Sequence, residues 1–245
     1  MAIMKCIQAR YNVMLDDPFE NPTQLYTHAV LFILGGMVCD SLDGRLARLG
    51  GRESLFGKEF DSIVDMVSFG LAPALMVLFL ILNPEESLFF KNIGLFLSFI
   101  YLLCAGIRLA RFNVITHPLV YPANIDRSDS DFIGLPVPAA AGMIVTLVLV
   151  INHLDLRNWA IALPFLMIFI SYLMISPIRY PSFKKIDWNT KVRLRTFILI
   201  LMVGMLVYLF RQYALVLVFL CYLFYGVIRH ILIVRRARRE SASNR

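Results

Sequence analysis

The sequence predicts an all-α, polytopic membrane helical bundle of about seven spans. Three observations carry that prediction. Of 245 residues, 59% are hydrophobic and only 17% are charged, whereas a soluble domain of this size carries about a quarter charged residues. Apolar runs near the length needed to cross a bilayer recur, at about 26–48, 61–82, 92–111, 134–152, 159–177, 194–210 and 213–234. Lys and Arg collect at alternate ends of those runs, as membrane orientation requires.

Residues 1–24 hold an apolar patch broken by Lys5 and Arg10, then an acidic stretch with Asp16, Asp17 and Glu20. That segment is too short and too polar to span, and no cleavable signal peptide is evident. The first run ends on Asp40 and Asp43, and the second starts on Asp61 and Asp65. The third closes on Arg108 and Arg111. Pro136 and Pro138 open the fourth, at a helix start where a missing N–H costs little. Three further runs complete the seven. The chain reads as one domain, 1–245, with no internal repeat. It ends in a basic tail, 235–245, expected to be disordered and to lie against anionic head groups on the cytoplasmic side.

Most of the 24 basic residues fall on one side of this arrangement, including Arg45, Arg48, Arg52, Lys58, Arg108, Arg111 and the tail. The positive-inside rule makes that side cytoplasmic, and it is also the aspartate side. A net charge of +7 therefore reflects a multi-pass protein of the cell (inner) membrane, not a nucleic-acid binder. Cys6, Cys39, Cys104 and Cys221 are scattered and form no short-spaced metal pair, so buried free thiols are expected and a disulfide framework is not.

The chemistry gathers in D-S-L-D-G-R-L-A-R, eight residues, then G-K-E-F-D-S-I-V-D. On a helix, Asp40, Asp43, Gly44 and Ala47 share one face, and Asp61 and Asp65 share another. An uncompensated carboxylate at membrane depth costs roughly 2.5–3.5 kcal/mol on insertion scales. Four together call for a strong partner, and two divalent cations supply one. Hard oxygen donors without nearby His or Cys suit Mg²⁺ or Mn²⁺ and argue against zinc. Arg48 can pair with a phosphate, Ser54 can hydrogen-bond one, and Gly57 permits close approach. Together these are the equipment for displacement at phosphorus.

The pattern D-x2-D-G-x2-A-R-x8-G-x3-D-x3-D, from Asp40 to Asp65, resembles the signature of the CDP-alcohol phosphotransferase family at every defined position. That resemblance implies that Asp40, Asp43, Asp61 and Asp65 hold two divalent metals and that Asp65 also acts as general base. It implies that Gly44, Arg48 and Ser54 hold the CDP part of the donor, and that the protein is a homodimer. Family members also carry a first helix with an Asn/Thr-containing segment. A-I-M-K-C-I-Q-A-R-Y reads as the tail of such a helix, which would make eight spans.

R-L-A-R-F-N at Arg108–Asn113, F-I-G-L-P-V-P-A-A-A-G at Phe132–Gly142 and L-M-I-S-P-I-R-Y-P-S-F-K at Leu173–Lys184 look like the phosphatidylserine synthase branch. The reaction so implied moves a phosphatidyl group from CDP-diacylglycerol to L-serine. Arg108 and Arg111 can receive a carboxylate, and Asn113 a carboxylate or an ammonium; Arg111 and Asn113, at the helix exit, are the preferred contacts. Arg179 is a weaker candidate. The nearer alternative is a sister enzyme using glycerol phosphate or inositol phosphate. A cation transporter is more distant, because its pathway would need polar residues deep in several spans.

Overall fold

The computed structural model describes residues 1–15, 21–49, 55–81, 88–116, 132–154, 160, 162–180 and 211–243. Helix α1 (Ala2–Met14) buries Cys6, Ala9 and Asn12 along one stripe. It packs that stripe on α2 (Pro22–Leu49). Cys6, Ala9 and Ala29 are fully buried, and small side chains of this kind let two helices approach closely. Asn21 begins α2 by accepting the Thr23 N–H on its side-chain oxygen at 3.1 Å, with Pro22 in the first turn, where a missing donor costs nothing. At 1.5 Å per residue, Asp40 lies about 27 Å along the axis from Pro22, close to the full hydrocarbon thickness. The acidic end of α2 thus reaches the membrane edge.

The second membrane helix is built in three pieces: α3 (Leu55–Asp65), a π-helical stretch (Met66–Leu71) and α4 (Ala72–Ile81). The widening has an identifiable cause in Pro73. Proline offers no N–H and its ring collides with the carbonyl four residues back, which is Phe69. The freed Phe69 carbonyl accepts the Tyr101 hydroxyl at 2.9 Å instead. The stretch closes with the Ala72 N–H on the Val67 carbonyl, five residues back.

Helix α5 (Leu88–Thr116) carries Tyr101 and packs on α7 (Ala162–Ile175), α4 and the π stretch. Helix α6 (Val137–His153) is the core of the bundle, with Val137, Ala140, Ala141, Ile144, Val145 and Val148 fully buried. Its far end is tied to the start of α2 by the Asn152 amide, which donates to the Thr23 carbonyl at 2.8 Å. Helix α8 (Arg211–Ser243) packs on α6. Two strands, β1 (Phe132–Ile133) and β2 (Arg179–Tyr180), pair antiparallel. Gly134 follows with φ +82°, where a Cβ would strike the Met174 carbonyl. Apolar side chains such as Leu31, Phe32, Phe96, Phe99, Phe165 and Phe224 face outward, as a lipid-embedded surface requires.

The helical membrane bundle expected from the sequence is the architecture observed, with this two-residue ladder as an addition. Among the described residues, three helical segments are long and apolar enough to cross a membrane: Pro22–Gly44, Phe56–Leu80 and Lys91–Ile115. Val137–His153, Ala162–Ile175 and Tyr213–Arg229 are shorter apolar helices, and the run expected at 194–210 lies outside the described residues.

Two expectations need correction. The tail from Arg235, expected to be disordered, continues α8 as helix to Ser243. Arg, Ala and Glu are good helix formers, and extending an existing helix avoids the cost of nucleation. Of the four free thiols expected to be buried, Cys39 and Cys221 are exposed, because a membrane protein turns apolar side chains outward as well as inward.

Candidate active site at the meeting of α2, α3 and α5

Asp40 on α2 and Asp61 and Asp65 on α3 bring one carboxylate oxygen each to within 4.8 Å of one another. The i, i+4 spacing on α3 puts Asp61 and Asp65 on one face, and that face meets the acidic end of α2. The Asp40 and Asp65 carboxyl groups lie close enough to share a proton. Three acidic groups this close repel one another unless a cation or a proton lies among them. The donor set is oxygen only, on two helices, which fits a hard divalent cation. Asp43, one turn further along α2, is exposed and outside this group, although it interacts electrostatically with Asp40.

Arg108 enters from α5. Nearby, a Cβ on Gly106 would meet Met66 Cε at 3.3 Å, so the small residue lets α5 lie against the helix that carries Asp65. Arg108 is 9% exposed. It stands over the Phe112 ring at 5.7 Å from the centroid and interacts electrostatically with Asp65 and with Tyr222 of α8. Among the described residues it forms no ion pair and no hydrogen bond. A nearly buried guanidinium in that condition keeps N–H donors that an anion could take up.

Asn113 has a different part. Its amide donates to Glu59 Oε2 at 3.0 Å and to Ser62 Oγ at 2.9 Å. Both partners are on α3, so Asn113 binds the helix of the aspartates to the helix of Arg108. Arg111 is exposed, as are Gly44 and Gly57. Nothing described lies within 4 Å of a Cβ placed on Gly44, which leaves that side of α2 open to a large substrate. Arg48 stands in the last turn of α2, while Ser54 falls outside the described residues.

Of the residues expected at the site, the fold therefore assembles Asp40, Asp61, Asp65 and Arg108. Reading by sequence missed Glu59, Ser62 and Tyr222. Glu59 and Ser62 share a helix face one turn apart and could have been suspected. Tyr222 sits 114 positions beyond Arg108 in an apolar run, with no local signal.

The model of the family described as CDP-alcohol phosphatidyltransferase matches residues 4–170. A protein of Helicobacter pylori strain J99 named CDP-diacylglycerol–serine O-phosphatidyltransferase is 38% identical over 213 residues, covering 85% of this chain and 82% of the relative. A Bacillus subtilis protein of the same name is 36% identical over 157 residues, 64% of this chain and 76% of its own. A Methanothermobacter thermautotrophicus protein named archaetidylserine synthase is 36% identical over 155 residues, 62% of this chain and 58% of its own. With its acidic cluster in place and the match spanning well over half its length, the chain belongs to the CDP-alcohol phosphatidyltransferase family.

Proposed function

We propose that this membrane protein transfers the phosphatidyl group of CDP-diacylglycerol to the hydroxyl of L-serine, giving phosphatidylserine and CMP. The observation that carries the reading is the convergence of Asp40, Asp61 and Asp65 near a nearly buried Arg108. The names of the relatives support it from another direction. They share serine and differ in the lipid, so the acceptor is the better supported half.

Asp40, Asp61 and Asp65, with Asp43 one turn away, are the residues that would hold Mg²⁺ or Mn²⁺. Such ions, when bound, neutralise charge on the pyrophosphate and on departing CMP. Asp65 is the base in this reading, being the carboxylate that interacts electrostatically with Arg108. It accepts the proton of the serine hydroxyl while that oxygen attacks the phosphorus nearer the lipid. The bond from that phosphorus to the bridging oxygen of CMP breaks. Proton removal by a positioned base contributes typically 10²–10⁴-fold. Arg108 receives the serine carboxylate, holding the hydroxyl toward Asp65. Asn113 acts through Glu59 and Ser62 in keeping that geometry. Gly44, Arg48, Ser54 and Gly57 border the donor, and Arg111 attracts anions at the rim.

The active site faces the cytoplasm in this reading, where CMP and serine exchange with solvent, and the protein works as a homodimer. CMP release from CDP-diacylglycerol by the purified chain, with and without serine and Mn²⁺, tests the reading. Release that requires both is expected. Release with glycerol phosphate or inositol phosphate but not with serine would transfer the protein to a sister reaction.

A further inference from the structure

The family match ends at residue 170, yet part of the surroundings of Arg108 comes from beyond it. Tyr222, on α8, interacts electrostatically with the Arg108 guanidinium. Its ring lies 5.7 Å from that of Tyr180, tilted by 34°. Tyr180 is fully buried, and among the described residues its hydroxyl has no hydrogen-bond partner. The seat of Tyr180 is built for it. Gly226 is one turn beyond Tyr222 on α8, and a Cβ there would collide with the Tyr180 ring. The ring of Tyr180 is thus seated on α8 beside the ring of Tyr222. A nearly buried arginine, a phenol close enough to feel its charge, and a second ring packed on the first stand together near Asp65.

We propose that Tyr222 completes the acceptor subsite, its hydroxyl joining the Arg108 guanidinium on the acceptor's carboxylate, so that serine is selected over amino alcohols that have none. Tyr180 is a positioning residue, acting through Tyr222. The inference rests on the serine reading above and adds to it a specificity residue outside the part of the chain shared across the family. That location has a chemical logic. The donor is held by Asp40, Asp61 and Asp65, inside the matched region, while a change of acceptor needs a change only where the acceptor's distinguishing group is met.

Tyr222→Phe keeps the ring against Tyr180 and removes only the hydroxyl. A hydrogen bond to a charged group is worth about 1.5–3 kcal/mol, so the KM for serine should rise on the order of tenfold or more. The preference for serine over ethanolamine should fall by a similar factor. The KM for CDP-diacylglycerol and the affinity for Mn²⁺, read by electron paramagnetic resonance, should stay at the unsubstituted values. Serine KM within about twofold of the unsubstituted protein would overturn the proposal. So would a variant in which serine KM, donor KM and Mn²⁺ affinity worsen together, since that pattern belongs to a structural residue. Absence of serine-dependent CMP release from the unsubstituted protein would overturn the serine reading itself. Serine-dependent release with an indifferent Tyr222→Phe would overturn this inference alone.

Discussion

Tyr101 donates its hydroxyl to the Phe69 carbonyl at 2.9 Å, the carbonyl that Pro73 leaves without its helical partner. The bond is buried and joins α5 to the π stretch directly after Asp65. Removing the donor leaves a buried acceptor unmet, which costs about 1–3 kcal/mol. Tyr101→Phe should lower the thermal midpoint of the detergent-purified protein accordingly. Pro73→Ala restores an N–H in reach of Phe69, so the double variant should lose less than the sum of the two single changes. Strict additivity would refute the partnership.

Asp65→Asn should lower CMP release by at least about 10²-fold while the protein stays folded and monodisperse. Substantial residual turnover would remove Asp65 from the role of base. Chelation of divalent cations should abolish release, and Mn²⁺ or Mg²⁺ should restore it; turnover in excess chelator would remove the metal reading.

Asn113 joins α5 to α3 through Glu59 and Ser62. Asn113→Ala should reduce turnover by leaving the two helices free to separate. Asn113→Asp should be worse, because it sets a second carboxylate against Glu59. A serine contact would instead show its loss mainly in serine KM, with kcat retained.

Cys6 is buried between α1 and α2, and burial pushes its thiol up to about 12. The thiolate is the reactive form, so near pH 8 almost none is present, and reactivity rises only well above that pH. An apolar maleimide should label exposed Cys39 and Cys221 in the native protein and Cys6 only after denaturation. Mass spectrometry of the labelled peptides reads the outcome, and native labelling of Cys6 would contradict the packing of α1.

Much of the site was legible because its residues lie close together in sequence. Asp61 and Asp65 are four apart on a helix, and Asp40 stands at the membrane end of the preceding one, so periodicity alone brings them to one place. Arg108 was a candidate by chemistry, but Arg111 and Asn113 at the helix exit looked better placed. What sequence does not report is tertiary: the packing of α5 buries Arg108 and leaves Arg111 exposed, and Glu59 and Ser62 take up the Asn113 amide. The π stretch is local and its cause, Pro73, was in view. A proline inside a membrane helix predicts a distortion without saying which carbonyl is rescued or by what. Tyr222 depends wholly on how α8 lies against β2, which no spacing rule reports.

The wide turn from Met66 to Leu71 accommodates one residue more than a regular helix of the same rise. Each residue turns an α-helix by about 100°. Deleting one residue there, and restoring ordinary winding, would leave Ala72–Ile81 docked as before while swinging the upstream half through more than a quarter circle. Asp61 and Asp65 would then look away from Asp40. The irregularity that a proline forces on this helix is what aims its carboxylates, so the bearing of the acidic cluster is set by a winding fault some distance inside the membrane.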